Sequence, residues 1–195
     1  MKIHMIRHGQ TMANITYTYA GVSDTPLSEE GIRLLTEQRE KGGYPDIAGL
    51  DVYTSGLSRT DKTLEILYGK VPHMIDRAFI EMNFGIFEGK SYDELKDTEE
   101  YQLWVNSDHM TNRCPGGENG AEVVHRILRG IDRLAEKGRD AVVVCHGGVI
   151  ALLFLHFFPD TGMNWYEIQP VNGAGYTFEF FGNQALSYTK IPDKK

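Results

Sequence analysis

The run Ala141-Val142-Val143-Val144-Cys145 restricts the fold of this chain more than any other stretch. Consecutive apolar residues with no polar alternation fit a β-strand covered on both faces, and such strands belong to parallel sheets enclosed by helices. Directly after it, His146-Gly147-Gly148 puts a histidine and two positions without side chains at the carboxyl end of the strand. That is the edge where open α/β sheets bind ligands. Further β-rich runs lie at Lys2 to Ile6, Val52 to Thr54, around Met74 and Ile75, Ala174 to Phe181 and Leu186 to Ile191. Helices are expected to begin at Ser28, Ser58, Ser91 and Asn119, the last two with a glutamate three residues on in capping-box spacing. The last of these aligns Val123, Val124, Ile127, Leu128, Ile131 and Leu134 on one face, which should pack on the sheet. Another helix should run from Val149 to Phe158 and stop before Pro159. The alternation predicts an α/β fold: one domain over residues 1–195, a three-layer α/β/α sandwich with a mostly parallel central sheet.

From about 83 to 117 neither the helix nor the strand period holds. Phe84, Phe87, Tyr92, Tyr101, Trp104 and Met110 are scattered among acids and amides, as in a small helical or irregular cap inserted into the domain. Such an insertion either roofs the ligand site or forms a satellite core of its own. In the first case Phe84, Phe87, Tyr92 and Trp104 would include the surface that selects the substrate.

A net charge of −7 argues against nucleic acid and anionic membranes, which demand clustered basic residues. Val149 to Phe158 is too short to cross a bilayer and contains His156, so no membrane association is expected. The N-terminus has no signal-peptide pattern. Cys114 and Cys145 lack the paired spacing of a disulfide framework or a zinc site, and reduced thiols fit a cytoplasmic protein.

Arg7-His8-Gly9 closes the first apolar run. The arginine can neutralise phosphate oxygens, the imidazole can attack phosphorus, and the glycine allows close approach. Arg59 follows the turn Thr54-Ser55-Gly56, beside the free backbone donors of a helix start. Glu81 and Glu88 stand among apolar residues and glycines, and either could be a proton donor. Asn14 could donate to a phosphate oxygen or simply form a turn. Two other chemistries fit poorly. His4 and His8 on one extended strand lie about 13 Å apart, too far to share a metal ion with His146, and Cys145 and His146 point to opposite faces, which disfavours a thiol nucleophile.

Taken in order, these motifs resemble the histidine phosphatase superfamily, which includes the cofactor-dependent phosphoglycerate mutases. The likeness also rests on Thr11, Tyr19-Ala20-Gly21, Asp24-Thr25-Pro26-Leu27-Ser28 with Gly31, Tyr53 to Thr60, Phe84-Gly85, Glu88-Gly89 and Pro115-Gly116-Gly117-Glu118. The resemblance implies that His8 is the nucleophile, that Arg7, Arg59 and His146 form the phosphate pocket, and that Glu81 rather than Glu88 is the acid; as the phosphoryl group transfers, a protonated His146 would join the two arginines in meeting its charge. It further implies that Asn14, Gly21 and Gly147 line the pocket, and that no cofactor or metal is needed to hydrolyse a small-molecule phosphate ester. Met82-Asn83-Phe84 follows the acid where the mutases have an arginine and a tyrosine, and Arg113 stands alone where they have paired arginines. These departures favour a phosphatase over a mutase, with a catalytically silent phospholigand-binding module as a third reading.

Overall fold

A computed structural model describes residues 1–193. The chain runs β1 (Lys2–Arg7), α1 (Met12–Ile15), α2 (Glu29–Lys41), β2 (Asp51–Thr54), α3 (Ser58–Tyr68), β3 (Met74–Ile75), α4 (Tyr92–Leu95), α5 (Glu99–Val105), α6 (Gly120–Lys137), β4 (Ala141–Cys145), α7 (Gly147–Phe157), α8 (Trp165–Ile168), β5 (Gly175–Phe181) and β6 (Gln184–Ile191). Short 3₁₀ turns occupy Arg77–Phe79 and Gly85–Phe87. The strands form one six-stranded sheet in the order β3-β2-β4-β1-β5-β6. β3, β2, β4 and β1 pair in parallel, whereas β5 is antiparallel to both β1 and β6. Only β5 therefore runs against the rest, and the fold is the α/β sandwich that the periodicity predicts.

Every residue of β4 is buried, as its unbroken apolar run requires. Val142 and Val144 join Ile6, Val52, Leu35, Leu64 and Leu67 on the face covered by α2 and α3. Val143 and Cys145 join Ile3, Met5, Ile127, Ile131 and Leu153 on the face covered by α6 and α7. Each such aliphatic side chain contributes about 1.5–3 kcal/mol by leaving water. The capping boxes expected at Ser91 and Asn119 both form, and α6 ends on Gly138 in the left-handed conformation.

The differences from expectation have local causes. β6 starts at Gln184 rather than Leu186 because the two-residue turn Gly182-Asn183 pairs Phe181 with Gln184 at once. Helix α7 begins at Gly147, two residues early, with His146 in the capping position. The cap of α3 is Leu57 rather than Ser58 and makes no side-chain bond, and the free Ser58 N–H is met instead by the Asp24 carboxylate at 2.9 Å. Helix α1 was too short to show a period.

The segment 83–117 is not a satellite core. Phe87, Tyr101 and Trp104 are buried and belong to the cluster that also holds Met5, Val143 and Ile127. With Phe87 and Trp104 turned inward, only Phe84, half-buried, and Tyr92, exposed, remain of the aromatics that would face a substrate. Among the described residues, no helix is long and apolar enough to cross a membrane.

Candidate active site

The parallel pairing of β1 with β4 sets Arg7 opposite Cys145, so His8 and His146 step off the same edge of the sheet. The His8 N–H donates to the Cys145 carbonyl at 3.0 Å, and the two imidazole rings lie 5.2 Å apart, centre to centre, in an edge-on arrangement. Both histidines are buried. His8 Nδ1 lies 2.7 Å from the Gly9 carbonyl, which can only accept. The proton is thereby held on Nδ1, and Nε2 presents its lone pair. Burial, then the charges of Arg59 and Arg7, hold the His8 pKa well below its ordinary 6.5, against the bond to Gly9. The ring is neutral at neutral pH, as a nucleophile must be.

His146 Nε2 bonds Ser55 Oγ at 2.8 Å, and Ser55 in turn lies 3.2 Å from Thr60 Oγ1. Burial, then His8, Arg59, Arg126 and Arg7, push the His146 pKa well below 6.5 as well. Two arginines disfavour a third cation at this place until an anion offsets them. Its Nδ1 is buried without a hydrogen-bond partner.

Arg7 donates from Nη1 to the Pro170 carbonyl at 2.7 Å. Arg59, almost wholly enclosed, donates to the Ser23 carbonyl at 2.8 Å and the Gly21 carbonyl at 2.6 Å. Each guanidinium keeps its Nε buried and unpartnered. Burial lowers both arginine pKa values, opposed by the negative charge of Glu81. Three buried nitrogens of the cluster thus lack hydrogen-bond partners. Each such group costs about 1–3 kcal/mol, more when charged, unless a ligand meets it.

Glu81 reaches the same place from the other side. Its carboxylate accepts the Gly148 N–H and the Met82 N–H, each at 3.0 Å. The two glycines that open α7 make room: a Cβ on Gly148 would lie 2.6 Å from Glu81 Oε1, and one on Gly147 would lie 3.0 Å from Arg7 Nε. Arg126 holds the segment bearing Glu81, donating to the carbonyls of Ala78, Ile80 and Glu81 at 2.8, 2.6 and 3.0 Å, and pairs with Glu118 at 2.9 Å. Glu88 is differently occupied, since backbone N–H groups of residues 21–23 and 84 take both of its oxygens.

Gly21 packs so closely on Met82 that a Cβ would fall 1.7 Å from the Met82 carbonyl oxygen. Asn14 Oδ1 accepts from the Thr11 N–H at 3.0 Å and from Asn172 Nδ2 at 3.2 Å, which fixes the amide with Nδ2 directed elsewhere. His4 Nδ1 is bonded to Thr177 on β5 and takes no part in the cluster. The Cys145 thiol is buried, and burial pushes its pKa up.

Residues 3–188 match the sequence pattern of the histidine phosphatase superfamily (branch 1). The chain belongs to this superfamily. Among histidine phosphatase relatives, the adenosylcobalamin/alpha-ribazole phosphatase of Escherichia coli (strain K12) is 32% identical over 162 residues, covering 78% of this chain and 77% of that one. The 6-phosphofructo-2-kinase/fructose-2,6-bisphosphatase 3 of Bos taurus is 31% identical over 157 residues, 80% of this chain and 33% of that protein. The chain thus spans about a third of the length of the first such bifunctional relatives it matches. The crystal structure of the alpha-ribazole phosphatase from Shigella flexneri superposes with a TM-score of 0.79 at 27% identity, over 95% of this chain and 93% of that one.

Arg7 and His8, Arg59, Glu81 and His146 come together from four separate stretches of chain. Sequence reasoning missed Ser55, Arg126 and Asn172, which orient the cluster without lining it. Asn172 donates to the His8 carbonyl at 3.1 Å. Its only local signal is the Asn-Gly turn pair, which reveals a bend but not its partner.

Proposed function

We propose that the chain is a phosphomonoesterase acting on a small-molecule phosphate ester through a phosphohistidine on His8. The observation that carries this reading is the set of buried unpartnered nitrogens, Arg7 Nε, Arg59 Nε and His146 Nδ1, around a neutral imidazole of fixed tautomer. His8 Nε2 attacks phosphorus as the ester P–O bond breaks. The equatorial oxygens meet the two guanidinium groups, which carry charge that metal ions supply in other phosphoryl-transfer enzymes. No cofactor is needed for this scheme. The arriving dianion offsets the repulsion that holds His146 neutral, so its ring can take up a proton and donate to the phosphoryl group.

Glu81, anchored by the Gly148 N–H, protonates the departing alkoxide, a contribution of about 10²–10⁴ in rate. As a carboxylate it then takes a proton from water, which attacks phosphorus, breaks the N–P bond and releases phosphate. Asn14, Gly21 and Gly147 line the pocket in this scheme, and residues 83–117 form a cap within one domain of 195 residues. Two free thiols fit a cytoplasmic setting. Against the mutase alternative, Arg113 is taken up by Glu122 rather than free to hold a substrate carboxylate.

Release of phosphate from p-nitrophenyl phosphate, and an alkaline quench that finds the phosphoryl label on His8, test the proposal. Isomerisation of phosphoglycerate with little free phosphate would make the chain a mutase. Phosphate binding without turnover would make it a silent binding module. Label on another side chain would overturn the scheme.

A further inference from the structure

We propose that Glu88 positions Arg59 for phosphate, acting through the backbone of residues 20–23. The inference rests on the cradle described above. The Glu88 carboxylate accepts the N–H groups of Gly21 (3.1 Å), Val22 (3.1 Å), Ser23 (3.2 Å) and Phe84 (3.0 Å). Three consecutive backbone donors converging on one anion form a nest, a concavity that the enclosed charge stabilises.

A nest fixes both sides of its peptides. With the N–H groups committed to Glu88, the carbonyls of Gly21 and Ser23 are the ones that receive Nη2 and Nη1 of Arg59, at 2.6 and 2.8 Å. The next residue, Asp24, accepts the Ser58 N–H at 2.9 Å and the Ser58 hydroxyl at 2.8 Å, which ties the same loop to the first turn of the helix bearing Arg59. The preceding residues are clamped too: the Tyr19 N–H donates to the Lys90 carbonyl at 3.0 Å and the Gly89 N–H to the Tyr19 carbonyl at 2.8 Å. Residues 19–24 are therefore a strap held by Glu88 in the middle, and the guanidinium rests on its outward carbonyls. Glu88 also offsets the burial of Arg59 electrostatically. Neutralising Glu88 weakens the nest, the carbonyls lose their common direction, and the Arg59 guanidinium is no longer held in place by them. Glu88 is a positioning residue with no contact to the reacting atoms.

A double-mutant cycle between Glu88→Gln and Arg59→Ala tests this, read as kcat/KM on p-nitrophenyl phosphate and as inorganic phosphate affinity by calorimetry. Glu88→Gln alone is expected to lower both by about 10-fold, and by less than about twofold when Arg59 is already alanine, because residues acting through one another are non-additive. Equal losses in the two backgrounds, or a lower melting temperature with phosphate affinity unchanged, overturn the proposal. If Glu88→Gln does not fold, Glu88→Asp, which keeps the charge but withdraws it from the nest, must show the same non-additivity, and additivity there overturns it. A wild-type protein that binds phosphate without turnover sinks the hydrolysis reading and leaves the coupling measurable, whereas one that binds no phosphate sinks both.

Discussion

The cradle around His8 and the aromatic packing around the buried rings of Phe87, Tyr101 and Trp104 are stabilised in opposite ways. In the aromatic region the rings satisfy one another: Tyr19 and Phe84 meet edge to face at 4.9 Å, Phe87 and Tyr101 at 5.4 Å, and the hydroxyls of Tyr19 and Tyr101 lie 2.9 Å apart. Its one unpartnered buried polar atom is the neutral indole nitrogen of Trp104, whose ring stacks on His109 at 4.3 Å. The cradle instead gathers two guanidinium groups and one imidazole, Arg7 and Arg59 at Nε and His146 at Nδ1, whose buried nitrogens have no hydrogen-bond partner. Edge-to-face rings are worth about 0.5–1.5 kcal/mol per pair on their own account. Unmet cationic donors cost free energy until something anionic arrives. Rings that satisfy one another need no ligand, whereas buried unpaired cationic nitrogens favour an anion.

The sharpest way to break this comparison is His8→Ala, which should lower kcat on p-nitrophenyl phosphate by about 10⁴-fold or more, because it removes the imidazole proposed to form the covalent intermediate. Retained turnover would put the nucleophile elsewhere. Glu81→Gln should cost about 10²–10³-fold, and less on esters with acidic leaving groups that depart without a proton, so equal losses across leaving groups would deny it the acid role.

Trp104→Ala probes the other region. It should cost about 3–5 kcal/mol of stability in denaturant titration while leaving relative rates across a panel of esters unchanged. A changed ranking of substrates would mean that the buried rings take part in selection after all. Acidification should separate the regions again. Because the folded pKa values of His8 and His146 lie below 6.5, the unfolded chain binds protons that the native chain refuses, and stability falls as pH drops from 6.5 towards those folded values. Urea midpoints at pH 7.5 and 5.5 should show this loss, reduced in His8→Asn; an unchanged loss in that variant would place its origin outside the cradle. Smallest of all, Tyr92→Ala at an exposed position should alter stability by no more than about 0.5 kcal/mol. A shift in its substrate ranking would identify Tyr92 as part of the selecting surface.

Much of this was readable in one dimension. The unbroken apolar run of β4 announced a central parallel strand, and Ser91 and Asn119 announced helix starts that form with their capping glutamates. Glu81 and Glu88 could not be told apart from the residues themselves. Both are acids among glycines and apolar neighbours, and family resemblance alone favoured Glu81. Their hydrogen bonds supply the physical distinction: Glu81 is anchored by α7 beside the histidines, while Glu88 is enclosed by the strap. The inward turn of Phe87 and Trp104 was equally hidden, since no period marks it.

What the sequence determined by itself was the order of the strands and longer helices, the placement of His8 and His146 at strand ends, and the presence of groups fit for phosphoryl chemistry. Periodicity and capping act over a few residues and leave a local trace. Only the tertiary structure decided which charges meet and which polar atoms go unpaired. The contacts Gly148–Glu81 and Gly21–Glu88 each close over 67 residues, and such pairings are set by sheet order and helix packing, for which no short stretch of chain carries a signature.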